Sequence, residues 1–276
     1  MAPCRRRDAR HGLLLVVGLA SAACEENQTA PSMAPSAPSG FTPVGNVPLP
    51  SGRDDRSQVV FVQVPAGEYW MGGAARDELP RHRVRVSAPF WLAATEVTSA
   101  QWQRFAAVGA APPVPLPPEG DAAPIQVSCD DATAYCRHVG YQLPTEAQWE
   151  WAARAGDDTV WDHLDLEAFA RQAWFHHNAG RQPMPVATRA ANAFGLHDML
   201  GNVWEWCADV YAPAYDGAVL AVDPVGPAVG DRRVLRGGSW FSLPPALPWT
   251  RASEPPALRT SYFGFRPVCP AALLAR

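Results

Sequence analysis

Proline sets the first limit on what this chain can fold into. It occurs 29 times among 276 residues, and each occurrence fixes φ and removes a backbone donor, so helices and central strands end where it appears. Tryptophan is also frequent, at 11. The two together predict irregular backbone pinned by aromatic rings, with few long helices. Hydrophobic residues make up 47% of the chain, enough for a real core in one large domain or two small ones. The net charge is −4, every basic residue outside histidine is arginine, and no basic run occurs beyond the N-terminus. Nucleic acid is therefore not an expected partner.

The first residues read as an export signal. Arg5, Arg6, Arg7 and Arg10 precede the short apolar run Gly12–Ala20, and Ser21–Cys24 reads SAAC. The run is too short to span a membrane and ends in small residues. The pattern looks like a lipoprotein signal over residues 1–23, with Cys24 acylated and anchoring the protein to a membrane. Plain cleavage after Ala22 is the alternative. Residues 24–58 are rich in Pro, Ser, Ala and Gly and read as a disordered tether spanning roughly 30 Å. The folded head is expected over residues 59–270.

Within the head, Val59–Gly73 alternates apolar residues around Pro65-Ala66-Gly67 and predicts a β-hairpin. Three helices are announced by capping boxes: Thr98 with Gln101, Ser128 with Asp131, and Thr145 with Gln148. Gly140 should end the second helix. Beyond Gly156 regularity falls, with short strands expected near Arg232–Trp240 and Ser261–Val268 and no internal repeat. The fold class is α+β with long ordered loops. Cys129, Cys136, Cys207 and Cys269 remain in the head, none in a CxxC pair. In an oxidising compartment they allow three complete pairings, among which spacing does not choose.

The stretch GLHDMLGNVWEWC, Gly195–Cys207, gathers two carboxylates, Asp198 and Glu205, around the flexible Gly201. Hard oxygens from side chains and carbonyls in one loop suit Ca²⁺. By spacing alone the plainer reading weighs more: Asp198 caps a turn and Glu205 is solvated, since this is no EF-hand. His176 and His177 read as loop histidines, without a third ligand at metal spacing.

Six segments in order alter that balance: VPAGEYWMGG, ATEVTSAQWQRF, AYCRHVGYQLPTEAQWEWAARAG, NAFGLHDMLGNVWEWCADVY, RVLRGGSWF and FGFRPV. Together they resemble the sulfatase-modifying-factor family, whose founding member is the formylglycine-generating enzyme, across Val59–Val268. The resemblance implies a single C-type-lectin-like domain stabilised by Ca²⁺. It places one calcium site at Asp198 and Glu205 by side chain and at Gly201 and Val203 by backbone carbonyl. A second family site would use Asn178 and Ala179, but the loop after them is short and lacks a matching Asp. It also implies a bridge from Cys136 to a cysteine beyond GFR, where Cys269 is the available partner; such a bridge would contribute about 4 kcal/mol.

The family's copper-oxidase site follows GGSW, where two cysteines hold Cu(I), a soft ion that thiolates select. Here Ser242 and Leu247 stand at those positions, while the active-site Ser239 is kept. Copper is not expected, and the oxidase reaction does not carry over. The leading expectation is a calcium-stabilised binding or scaffold module in the cell envelope, with an envelope protein or a small ligand as partner. Its contact surface would lie in Trp240–Tyr262, through Trp240, Trp249, Arg251, Arg259 and Tyr262; for Trp240, core packing is the stronger reading. The alternative is an enzyme of other chemistry in the same cleft, tautomerase-like, using Glu254, Arg251 or Ser242. A formylglycine-generating oxidase is the third reading.

Overall fold

A computed structural model describes residues 41–44, 48–109, 111–156 and 165–270. The export signal and Cys24 lie outside the described residues. Helices begin where their caps predict. The Thr98 hydroxyl accepts from the Gln101 N–H, and the Gln101 side chain accepts from the Thr98 N–H, opening α1 (Ser99–Ala107). Ser128 and Asp131 open α2 (Cys129–Val139) in the same way, and Thr145 and Gln148 open α3 (Glu146–Arg154). Gly140, at φ 84°, ends α2. A further short helix, α4 (Leu166–Gln172), starts on the Asp165 side chain; sequence reasoning had placed no helix there.

Among the described residues, twelve short strands build three sheets. The first has the order β1 (Phe41–Pro43), β2 (Ser51–Asp54), β3 (Val60–Val64), β6 (Phe90–Ala93) and β12 (Val268–Cys269), all antiparallel. The second runs β10 (Arg251–Glu254), β9 (Arg233–Arg236), β7 (Trp204–Val210) and β11 (Phe263–Gly264), the last pair parallel. The third joins β4 (Gly67–Met71), β5 (His82–Val86) and β8 (Ala221–Val222). This is the expected α+β domain. One core cluster packs α1 and α2 against the first two sheets through Trp102, Tyr135, Phe265 and Trp206. A second surrounds α3 through Trp149, Trp151, Val84 and Val234.

The expected hairpin at Val59–Gly73 does not form. β3 pairs with β2 and β6, whereas β4 pairs with β5 in another sheet. The Trp151 ring is the wedge that divides them. Its N–H donates to the Pro65 carbonyl at 2.8 Å, and a Cβ on Gly67 would lie 2.4 Å from the ring. The chain can cross this ring only at a glycine, and there it passes from one sheet to the other.

The tether is shorter than its composition predicts. Phe41 packs on Phe61 and Trp91, and β1 and β2 extend the first sheet. Asp54 is buried, with the Ser57 and Tyr141 hydroxyls donating to its carboxylate. A polar segment is ordered here because its backbone completes a sheet and its buried acid, Asp54, has fixed donors. The remainder of the expected tether, up to residue 40, lies outside the described residues.

The expected Cys136–Cys269 bridge is absent. All four described cysteines are free thiols and buried. Cys136 lies in the first core cluster, and the Cys269 thiol approaches the Pro270 carbonyl at 3.9 Å. Burial pushes the Cys136 thiol up and Cys269 up to about 12, so both remain protonated and pack as small apolar groups.

Candidate functional site

The local frame is α3. Glu146, Glu150 and Arg154 recur every fourth residue and therefore share one helix face, yet all three are buried. Two arginines on neighbouring strands face them, since Arg251 of β10 is in register with Arg236 of β9. Arg251 grips Glu146 through Nε and Nη2, each at 2.8 Å. Arg236 pairs with Glu150, whose other oxygen accepts from Arg154 Nε at 2.9 Å and from the Gly72 N–H at 2.9 Å. Arg236 also donates to the carbonyls of Trp249 and Pro248. Buried pairs of this kind fix geometry more than they add stability; these hold the end of the loop that follows GGSW.

Along Gly195–Cys207 the backbone turns through left-handed conformations at Asp198, Gly201 and Asn202. The Asn202 amide clamps Met184, accepting from its N–H and donating to its carbonyl. Glu205 is not solvated. Arg266 holds both its oxygens, from Nε at 2.6 Å and Nη2 at 2.7 Å, and the Trp149 indole N–H donates to it at 2.7 Å. Asp198 accepts from the Ala187 N–H at 2.7 Å through one oxygen, while its other oxygen is buried without a partner among the described residues.

Glu96 enters this neighbourhood unannounced by sequence reasoning. It is fully buried in the loop between β6 and α1, and among the described residues neither of its carboxylate oxygens has a hydrogen-bond partner. Burial, then the charge of Asp198, raises its pKa well above the usual carboxylate range. Asp198 is raised too, by burial with a contribution from Glu205. Three buried acids share one guanidinium, and three of their oxygens lack a donor. A cation fits that imbalance. Among the described residues no three His, Cys, Asp or Glu side chains form a metal cage by themselves, so such an ion would need backbone carbonyls as well. The available signal for Glu96 was a lone acid inside the apolar run FWLAATEV.

Asn178, at the expected second calcium site, spends its side chain on the turn it sits in. It accepts from the Phe175 N–H and donates to the Ala173 carbonyl.

Ser239 is buried. Its oxygen accepts from the Phe241 N–H at 3.2 Å, the Ser242 oxygen accepts from the Ser239 N–H at 3.0 Å, and the two hydroxyls lie 3.3 Å apart. They lock a tight turn. Leu247 packs with Phe169, Phe175 and Ala246. Neither a paired, protonated hydroxyl nor a leucine within an apolar cluster fits Cu(I).

The expected contact residues are mostly engaged. Arg251 is buried on Glu146 rather than presented outward, because its strand register turns it toward α3. Arg259 pairs with Asp131 at 2.6 Å, and Trp249 lies under Arg154 at 4.8 Å. Trp240 is half-buried, donating to the Ser261 carbonyl. Phe241 is exposed and stacks on Tyr262. Glu254 pairs with Arg232 at 3.1 Å.

Comparison with known proteins accords with these features. The model described as the sulfatase-modifying factor enzyme 1-like domain matches residues 48–271, which starts within the segment read as tether. The formylglycine-generating enzyme of Streptomyces coelicolor is 34% identical over 275 residues, covering 76% of this chain and 86% of that protein. The serine/threonine-protein kinase Pkn1 of Chlamydia trachomatis is 30% identical over 235 residues, covering 76% of this chain but 38% of the kinase. Among solved structures, Treponema denticola variable protein 1 superposes with a TM-score of 0.68 at 27% identity, covering 78% of this chain and 96% of that one. PvdO from Pseudomonas aeruginosa superposes at 0.70 and 24% identity, covering 82% and 99%, a likeness of fold.

Proposed function

The chain belongs to the sulfatase-modifying factor enzyme 1-like family, and on that premise we propose that it is a copper-independent member working as a calcium-stabilised binding or scaffold module of the cell envelope. The observation that carries this reading is the GGSWFSLPPAL segment. Its Ser239 and Ser242 hydroxyls hold a turn, and Leu247 fills an apolar cluster. A soft, redox-active ion would need deprotonated sulfur at both positions, and a serine hydroxyl is far harder to ionise than a thiol of pKa about 8.5.

Calcium is the ion that the remaining chemistry favours. Asp198, with the carbonyls of Gly201 and Val203, would hold it, Glu96 adds a carboxylate, and Glu205 would share oxygens now on Arg266. When bound, the ion supplies the positive charge that three buried acids lack. The protein's own residues do the rest: Gly201 lets the loop pass close to Trp174, and Asn202 ties Met184 to that loop. Export by residues 1–23 and acylation at Cys24 would place the domain at a membrane, facing an envelope protein or a small ligand.

The test combines purified protein, Cu(I), oxygen, a reductant and a peptide bearing the Cys-x-Pro-x-Arg motif. Neither stoichiometric copper binding nor aldehyde by mass spectrometry is expected. Aldehyde formation with turnover would overturn the reading.

A further inference from the structure

A cavity of about 350 Å³ opens between the end of β4, the start of β5, the first turn of α3, the end of β7 and the loop from Ala212 to Pro227. Its size falls in the range of small-molecule sites. None of the residues Ser239–Trp249 lines it. Much of its wall is apolar, with Met71, Ala147, Val210 and Ala221 contributing. The polar groups converge at one place: Asp209, Glu146, Arg251, Tyr215 and His82.

Those groups are unequally satisfied. Arg251 spends its guanidinium on Glu146 and on the carbonyls of Asp77 and Ala212. The Tyr215 hydroxyl donates to Glu146 at 3.1 Å. His82 donates from Nδ1 to the Pro80 carbonyl, and its ring lies 4.9 Å from that of Tyr215. Asp209 differs. It is 7% exposed, and among the described residues it makes no salt bridge. Its oxygens each accept one backbone N–H at 2.8 Å, from Glu146 and from Gly226. Each oxygen retains a lone pair. Burial and the neighbouring Glu146 push Asp209 up to about 6, outweighing the lowering by its two backbone hydrogen bonds and by the Arg251 charge. The exposed Asp216 adds negative charge at the rim.

We propose that this cavity binds a small primary or secondary amine with an apolar body, the ammonium held by Asp209 and the hydrocarbon packed against Met71, Ala147, Val210 and Ala221. The ammonium donates to the free lone pairs of Asp209, and its charge offsets the cost of keeping that carboxylate ionised in an apolar wall. The Tyr215 and His82 rings offer aromatic surface beside it. Arg251 already spends Nε, Nη1 and one Nη2 N–H on Glu146 and on the carbonyls of Asp77 and Ala212, so it offers an anionic ligand little. The site shares no lining residue with the copper positions or the calcium loop.

The test uses phenethylamine as probe, with 2-phenylethanol and phenylacetate as shape-matched neutral and anionic controls, followed by NMR titration of the backbone amides. Phenethylamine gives saturable shifts around Glu146, Asp209 and Gly226, and the alcohol binds at least about tenfold more weakly. Asp209→Asn brings the amine to the alcohol's level. Ala214→Trp, a substitution at an exposed rim position, abolishes binding while the fold persists. Equal affinity for amine and alcohol, preferred binding of phenylacetate, or absence of saturable shifts in the parent overturns the proposal. So does undiminished amine binding in Asp209→Asn. Should that variant fail to fold, the amine–alcohol ratio and Ala214→Trp decide.

Discussion

Gly201 offers a sharp test of how the Gly195–Cys207 loop is built. Its φ is +79°, and a Cβ placed on it would lie 2.1 Å from the Trp174 carbonyl oxygen and 2.9 Å from the carbonyl carbon. The obstacle is backbone and cannot rotate aside. Gly201→Ala must therefore carry a left-handed conformation, costing about 1–2 kcal/mol, and push two segments apart by roughly 1 Å to restore van der Waals contact. That separation breaks the bond from the Asn202 N–H to the Trp174 carbonyl at 2.8 Å, worth about 1 kcal/mol. It also strains the bond from the Gly201 N–H to the Gly237 carbonyl at 2.7 Å. The expected loss is about 3–4 kcal/mol. Gly180 is the control: its φ is +63°, and nothing lies within 4 Å of its Cβ position. Gly180→Ala should cost only the backbone part, about 1 kcal/mol. Urea unfolding of parent and both variants, at unchanged m-value, measures the difference. If the two variants agree to within about 0.5 kcal/mol, the close approach of Trp174 to this loop is not a constraint and the reasoning fails.

Two further outcomes follow from the buried acids. Calcium chelation should lower the melting temperature of the parent, because an ion that binds the folded state stabilises it by mass action; Asp198→Ala should melt alike with and without chelator, and a parent indifferent to chelation removes calcium from the account. Asp209 has a folded pKa of about 6 against an ordinary 3.8. The folded state thus holds that proton more tightly than the unfolded chain, and the contribution of Asp209 to stability falls as pH rises from about 4 to about 6, then levels off. The shift of about two units corresponds to at most about 3 kcal/mol. Asp209→Asn should lack this fall, and a parent-minus-variant difference that rises with pH in urea unfolding would contradict the assignment.

Much of this was legible in the chain, for identifiable reasons. The capping boxes were readable because both partners of each box lie within four residues. The six ordered motifs carried the fold class for the same reason: each is local. What escaped depends on distant partners. Glu96 looks unremarkable until the fold places it near Asp198, a hundred positions later. Glu205 reads as solvated until Arg266 arrives. The Val59–Gly73 segment alternates like a hairpin, and only the Trp151 ring, some eighty residues on, directs its halves to separate sheets. Arg251 looked like a surface contact because nothing near it in sequence reveals Glu146. Asp54 read as linker because its donors include Tyr141.

The pairing of β12 with β6 fixes when the domain can be finished. The sheet begun by Phe41 gains its last strand from Val268–Cys269, and Arg266, two residues earlier, donates to the carbonyls of Ala93 and His197 as well as to Glu205. A growing chain has no native partner for the free edge of β6 until Val268 and Cys269 have been made. Non-local closure of this kind slows folding. A chain halted shortly before Arg266 would contain nearly every motif named above, with an unpaired strand edge and with Glu205 deprived of the arginine that holds it. Loss of Arg266 and Val268–Cys269 would therefore be felt first at β6, made long before them, and quality control would meet it as an open sheet edge.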